Sequence, residues 1–309
     1  MLYKYDDIIC QIDELIFFLN GIGIDAKDNS PLKLEHQKAI NFYQSYLVNQ
    51  SHIDDEGRMA MGGLHELYKW IWAVKDSDEF KNLKSHLDLL VEAVPKINAS
   101  TPFLNTVTGK QDDKTNKFIE AIVGFFAVKH GKNVDLDYPV HSSGGTNPDV
   151  VFDFDDQRVA IACKTLRSNK PQTIFDNIVS ATKQISRANC DFGYVLLNAM
   201  NIADHIGVNK KVFHGYEEPF NVLKKSIEDI YSVILSESTN ELKNLFDNNP
   251  KACPIVVTVL HSTTRIHSSS GLLSTSLKGT IVTNFNDKTP FNDKHLKLPE
   301  MFNNFMHNC

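Results

Sequence analysis

The chain has 309 residues, 42% hydrophobic and 23% charged, the balance of a soluble globular protein large enough for two domains or one enlarged one. A formal net charge of -6 and a pI near 6.0 argue against a generally sticky polyanion binder, so any contact with nucleic acid has to be local. No apolar run reaches membrane-spanning length, residues 1–7 lack the order of a signal peptide, and Cys10, Cys163, Cys190, Cys253 and Cys309 form no CxxC; a cytoplasmic protein with no membrane contact, disulfide framework or zinc knuckle is expected.

Helical periodicity near residues 3–20, 33–49, 59–74 and 78–94 predicts an α-helical N-terminal domain over 1–100. Such a unit suits gripping nucleic acid, dimerising or docking a partner, and its sequence does not discriminate among them. A stretch rich in Pro, Asn, Ser and Thr from Pro95 to Thr115 breaks the pattern, and 101–115 is read as a linker. A helix then runs from about Lys114 to Lys129, with Phe118, Ile119, Ile122, Val123 and Phe126 at helical spacing. A strand follows around 134–140, then the loop Ser142-Ser143-Gly144-Gly145-Thr146, which reads equally as a plain turn or as backbone amides placed near a phosphate.

Residues 147–164 carry the most information. Closing a hairpin on the two-residue turn Asp155-Asp156 sets Asp153 opposite Arg158, Val150 opposite Ile161 and Asp149 opposite Ala162. Val150, Phe152, Val159, Ile161 and Cys163 then share one apolar face, while Asp149, Ala162 and Lys164 share the other. A one-residue slip would mix the two sets, so the pattern selects this register. Asp153 and Arg158 form a surface cross-strand pair. Downstream, a helix over Pro171–Ala188 and an apolar strand over Gly193–Asn198 are expected. From Gln157 to Asn189 the basic residues Arg158, Lys164, Arg167, Lys170, Lys183 and Arg187 face one acid, Asp176, a local net of 6 − 1 = +5 that suits phosphate contact.

Residues 217–247 read as one or two helices, and Pro254–Leu260 and Gly279–Asn284 as strands that extend the sheet. The Ser/Thr-rich segment His261–Leu277 between them reads as an exposed connection or a loop over substrate. The twelve histidines form no metal-ligand spacing, and neither GxxxxGK[ST] nor GxGxxG occurs.

Asn147-Pro148-Asp149, the hairpin, and Ala162-Cys163-Lys164 together resemble the motif of the PD-(D/E)xK nuclease superfamily, with alanine where the second acid belongs. The likeness covers roughly residues 113 to 200 and implies an α/β protein: a restriction-endonuclease-like αβββαβ core with a mixed sheet, preceded by the helical N-terminal domain and filling 116–309 together with a C-terminal helix and strand extension. It implies a Mg²⁺-dependent nuclease, with Mn²⁺ as substitute, that hydrolyses phosphodiesters in bacterial defence, with DNA the favoured substrate and the choice between DNA and RNA left open by the residues. Asp149, Glu120 and the backbone carbonyl of Cys163 would hold the cation; Lys164 would orient water and stabilise transition-state charge. Glu120 reads equally as an exposed acid at a helix start. Gly145, Thr146, Arg167, Lys170, Lys183, Gln184 and Arg187 would contact nucleic acid.

Ala162 departs from the family pattern and makes activity conditional. Either Glu120 supplies the missing ligand, or an acid was engineered out, or the chain is a pseudonuclease; the sequence leaves all three open. The alternative function is a noncatalytic nucleic-acid-binding or scaffold protein on a degenerate nuclease core. A homodimer, an ATPase or another defence-system subunit are the protein partners this reading allows.

Overall fold

The computed structural model describes residues 3–25, 27–50, 54–101, 104, 109, 113–137, 146–269, 271–286 and 293–308. Helices α1 (Tyr5–Gly21), α2 (Pro31–Val48) and α3 (Asp55–Trp72) open the chain. Ser30 caps α2 through the Lys33 amide and Asp54 caps α3 through the Gly57 amide, each satisfying an orphan N–H. The predicted helix over 78–94 is broken, a short α4 (Lys84–Asp88) lying between two 3₁₀ turns. Helix α5 (Asp113–Asn116) stops at Lys117, and α6 (Phe118–His130) resumes the predicted core helix.

The sheet is mixed, open and seven-stranded: β1 (Lys132–Leu136), β2 (Val150–Phe154), β3 (Gln157–Thr165), β4 (Phe192–Asn198), β5 (Val212–Phe213), β6 (Ala252–Ser268) and β7 (Gly271–Asn284), ordered β1-β2-β3-β4-β6-β5 with β7 on β6. Strands β1, β2 and β3 run antiparallel, whereas β3, β4 and β6 are parallel, joined by the crossovers that parallel pairing requires. These connections carry α7 (Pro171–Arg187) and then α8 (His205–Asn209), α9 (Glu217–Glu237) and α10 (Thr239–Asp247). The β2–β3 register matches the expected one over five pairs, from Phe154 opposite Gln157 to Val150 opposite Ile161. Its turn residues Asp155 and Asp156 have φ of 49° and 60°, the left-handed pair that two-residue hairpins prefer.

Both faces of the sheet are covered. Val150, Phe152, Val159, Ile161 and Cys163 join one apolar cluster with α1–α3, α6 and α11 (Asp293–Asn308); Ala160, Ala162, Val195 and Leu197 join a second with α7, α9 and α10. Central strands buried on both sides read as continuous apolar runs, as β4 does. At Gly193 a Cβ would lie 2.5 Å from the Ala160 carbonyl oxygen, so close strand approach there requires glycine.

One expectation needs correction, and two further features were not foreseen. His261–Leu277 is no exposed connection: it is the middle of the long β6–β7 hairpin, and Ser262 and Thr264 are fully buried. Helix α11, with Pro299 inside it, carried no recognised signal. The stretch after Pro95 is irregular but fastened: Asn98 is buried and donates to the Met59 carbonyl and the Thr263 hydroxyl. The predicted strand corresponds to β1; its positions 138–140, most of the predicted linker and the loop 142–145 lie outside the described residues.

Candidate active site

The last pair of the β2–β3 ladder is Val150 with Ile161, which leaves out the preceding residue, Asp149. Its amide still donates to the Ile161 carbonyl at 3.1 Å, but the next position on β3 is met by a side chain: the Cys163 amide donates to Asp149 Oδ2 at 2.6 Å. A strand residue turns its N–H and C=O toward the same neighbour, so the Cys163 carbonyl faces this opening too. The expected pairing of Asp149 with Ala162 is thereby replaced by a carboxylate that terminates the ladder.

Glu120 comes to the same opening from the first turn of α6 and is 3% exposed, as Asp149 is, so it is no surface acid. His86 Nε2 lies 3.3 Å from Glu120 Oε2; burial, reinforced by Lys117, lowers the imidazole to about 4, so it is neutral at pH 7. Burial and then the like charge of Glu120 raise Asp149 to about 7, against the pull of Lys117, Lys164 and the Cys163 amide. Burial also raises Glu120. Lys117, at the break between α5 and α6, was missed in the sequence although it stands three residues before Glu120. Its Nζ lies 2.8 Å from Glu120 Oε1 and 3.5 Å from Asp149 Oδ1. Burial opposes its charge, but the two acids outweigh that and raise its pKa.

Lys164 and Gln184 are brought together, the Lys164 ammonium donating to Gln184 Oε1 at 2.6 Å, so α7 does send a polar residue to the lysine strand. Arg167 donates to Asn116 Oδ1 at 2.9 Å, just before Lys117. Thr146, Lys170, Lys183 and Arg187 are exposed. Gly145 lies outside the described residues. Arg158 belongs elsewhere: it pairs with Asp153 at 3.0 Å near the hairpin turn, six residues and so about 20 Å along the strand from Lys164. The local positive run is therefore not one patch. Ala162 lies in the α7-side cluster and is fully buried.

The donor set suits a hard divalent cation in charge and chemistry, because two buried carboxylate oxygens already converge on one cationic atom. It is short of ligands. Ala162 offers none, and among the described residues no three His, Cys, Asp or Glu side chains group closely enough to hold a metal.

Fold and site together define an α/β protein with a mixed, open seven-stranded sheet and a buried acid pair at the end of its antiparallel hairpin. Comparisons with protein-family models, curated proteins and solved structures found no match to this chain. Among the described residues no helix is long and apolar enough to cross a membrane.

Proposed function

We propose that the chain is a phosphodiester-directed nuclease-type protein acting on DNA, in the service of defence against foreign DNA, its activity limited by Ala162. The convergence of Asp149 and Glu120 on one ammonium carries this reading: a buried carboxylate pair at the end of the hairpin, with Lys164 two residues past the vacant acid position and its charge favouring the ionised form of both acids. Asp149, Glu120 and the Cys163 carbonyl would hold Mg²⁺, which when bound supplies Lewis-acid charge and lowers the pKa of water. Lys164, steadied by Gln184, would orient that water and meet the extra negative charge of the transition state. Arg167 and the exposed Lys170 would hold the flanking backbone.

The runner-up is a binding or scaffold protein on a degenerate core, and Ala162 in an apolar cluster favours it. Restoring the acid separates the two. Ala162→Glu, or the shorter Ala162→Asp if the longer chain unfolds the protein, should gain Mg²⁺- or Mn²⁺-dependent cleavage of plasmid or oligonucleotide DNA, and Lys164→Ala in the same background should abolish it. A folded acid variant that cuts neither DNA nor RNA would overturn the catalytic reading, leaving metal-indifferent DNA binding to be sought in the unaltered chain.

A further inference from the structure

We propose that Lys117 is a built-in cation of the acid pair: its ammonium fills the place between Glu120 and Asp149 that a divalent ion would take, so the ion enters only by displacing it. This rests on the reading of the pair as a metal site.

The geometry divides each carboxylate into a fixed and a cation-facing oxygen. Glu120 Oε2 is held by the neutral His86 ring and Asp149 Oδ2 by the Cys163 amide, both buried parts of the frame. The other two oxygens, Glu120 Oε1 and Asp149 Oδ1, converge on Lys117 Nζ at 2.8 and 3.5 Å. Those spacings belong to an ammonium; Mg²⁺ requires oxygens at about 2.0–2.1 Å. Both cannot occupy the gap, because an ammonium and a dication set three positive charges against two negative ones in a poorly solvated space.

Lys117 is the member able to leave. Its side chain is 30% exposed, against 4% for each acid and 0% for His86, and it springs from the break between α5 and α6. A flexible four-carbon stem can swing such an ammonium into water without moving either helix. The consequence is a site whose acids stay compensated without metal and whose divalent affinity is reduced by the cost of that displacement.

Calorimetric titration of Mn²⁺ into the full chain tests this. Lys117→Met, or Lys117→Gln if the first does not fold, should bind Mn²⁺ about ten-fold more tightly than the unaltered chain, within the range that residues around a metal site exert. Adding Asp149→Asn should remove that binding, and Lys117→Arg should keep the weak affinity. Without metal, Lys117→Met should melt below the unaltered chain, and Mn²⁺ should raise its Tm more. Equal or weaker Mn²⁺ binding in both neutral variants would overturn the proposal. If Ala162→Glu binds Mn²⁺ through Asp149 and cuts DNA while Lys117→Met leaves affinity unchanged, the inference fails and the nuclease reading stands. If Lys117→Met binds tightly through Asp149 and folded Ala162→Glu cuts nothing, the inference stands alone.

Discussion

At the scale of single residues, Asp149 gives the site a pH signature. A carboxyl near 3.9 in an unfolded chain titrates at about 7 in the folded one, driven by burial and then by Glu120. The folded state therefore holds the extra proton between those values, so the stabilisation is complete below about pH 4 and is lost as pH rises through 7. Asp149→Asn, which cannot ionise, should gain on the unaltered chain by about 2–3 kcal/mol between pH 5 and 8. Urea denaturation of both proteins at the two pH values measures this; a constant difference would show that Asp149 does not carry the shifted titration. That Asp149 would close the hairpin against the lysine strand and that Gln184 would reach Lys164 was legible, because strand alternation and helix spacing fix which side chains share a face. Glu120 was undecided, since helical position alone leaves the covering layer unknown. His86 gave no signal, because its partner is 34 residues away and a broken, partly 3₁₀ segment brings it there.

At the scale of elements, the β2–β3 hairpin was legible from its turn as far as the Val150–Ile161 pair, and its turn invites a test. Asp156 sits at φ of 60° and is exposed, in a region that costs an L-residue free energy and glycine none. Asp156→Gly should stabilise the protein by about 0.5–1 kcal/mol after the added unfolded-state entropy of glycine is counted. A thermal melt should show a higher Tm, and an unchanged or lower one would mean that the turn is not strained. The β6–β7 hairpin escaped notice for the opposite reason. Its Ser and Thr residues look like loop composition, yet threonine suits a pleated strand, and here hydroxyls find partners inside: Thr264 donates to the Val208 carbonyl and Ser262 meets His205. The sequence shows polarity, whereas burial with satisfied hydrogen bonds depends on what packs above. Helix α11 was hidden by Pro299, which ordinarily marks a helix boundary.

At the scale of the whole molecule, the helices expected to form a separate domain over 1–100 share one apolar cluster with the sheet, from Ile12 and Leu67 through Phe126 to Val257 and Phe302. Buried charges reinforce that junction. Glu66 on α3 accepts from Lys278 of β7 at 2.5 Å and from Lys69 at 3.2 Å, with side chains 5%, 6% and 13% exposed. Burial alone would raise Glu66, but Lys278 and Lys69, with His261, hold it at about 2; burial brings Lys278 down to about 8, Lys69 pushing the same way. Two ammonium groups thus lean on a single carboxylate. Removing it leaves both uncompensated between helix and hairpin, so Glu66→Ala should cost about 3–5 kcal/mol, the scale of a broken buried pair. Glu66→Met combined with Lys278→Met should cost clearly less, because the interior then holds one buried cation fewer and comparable volume. If helices and sheet form one cooperative unit, the fluorescence of Trp70 and Trp72 on α3 and the far-UV circular dichroism should report coincident urea transitions, and Glu66→Ala should shift both together. A fluorescence transition that separates from the circular dichroism, with Glu66→Ala moving one alone, would instead establish the N-terminal helices as an independently folding domain.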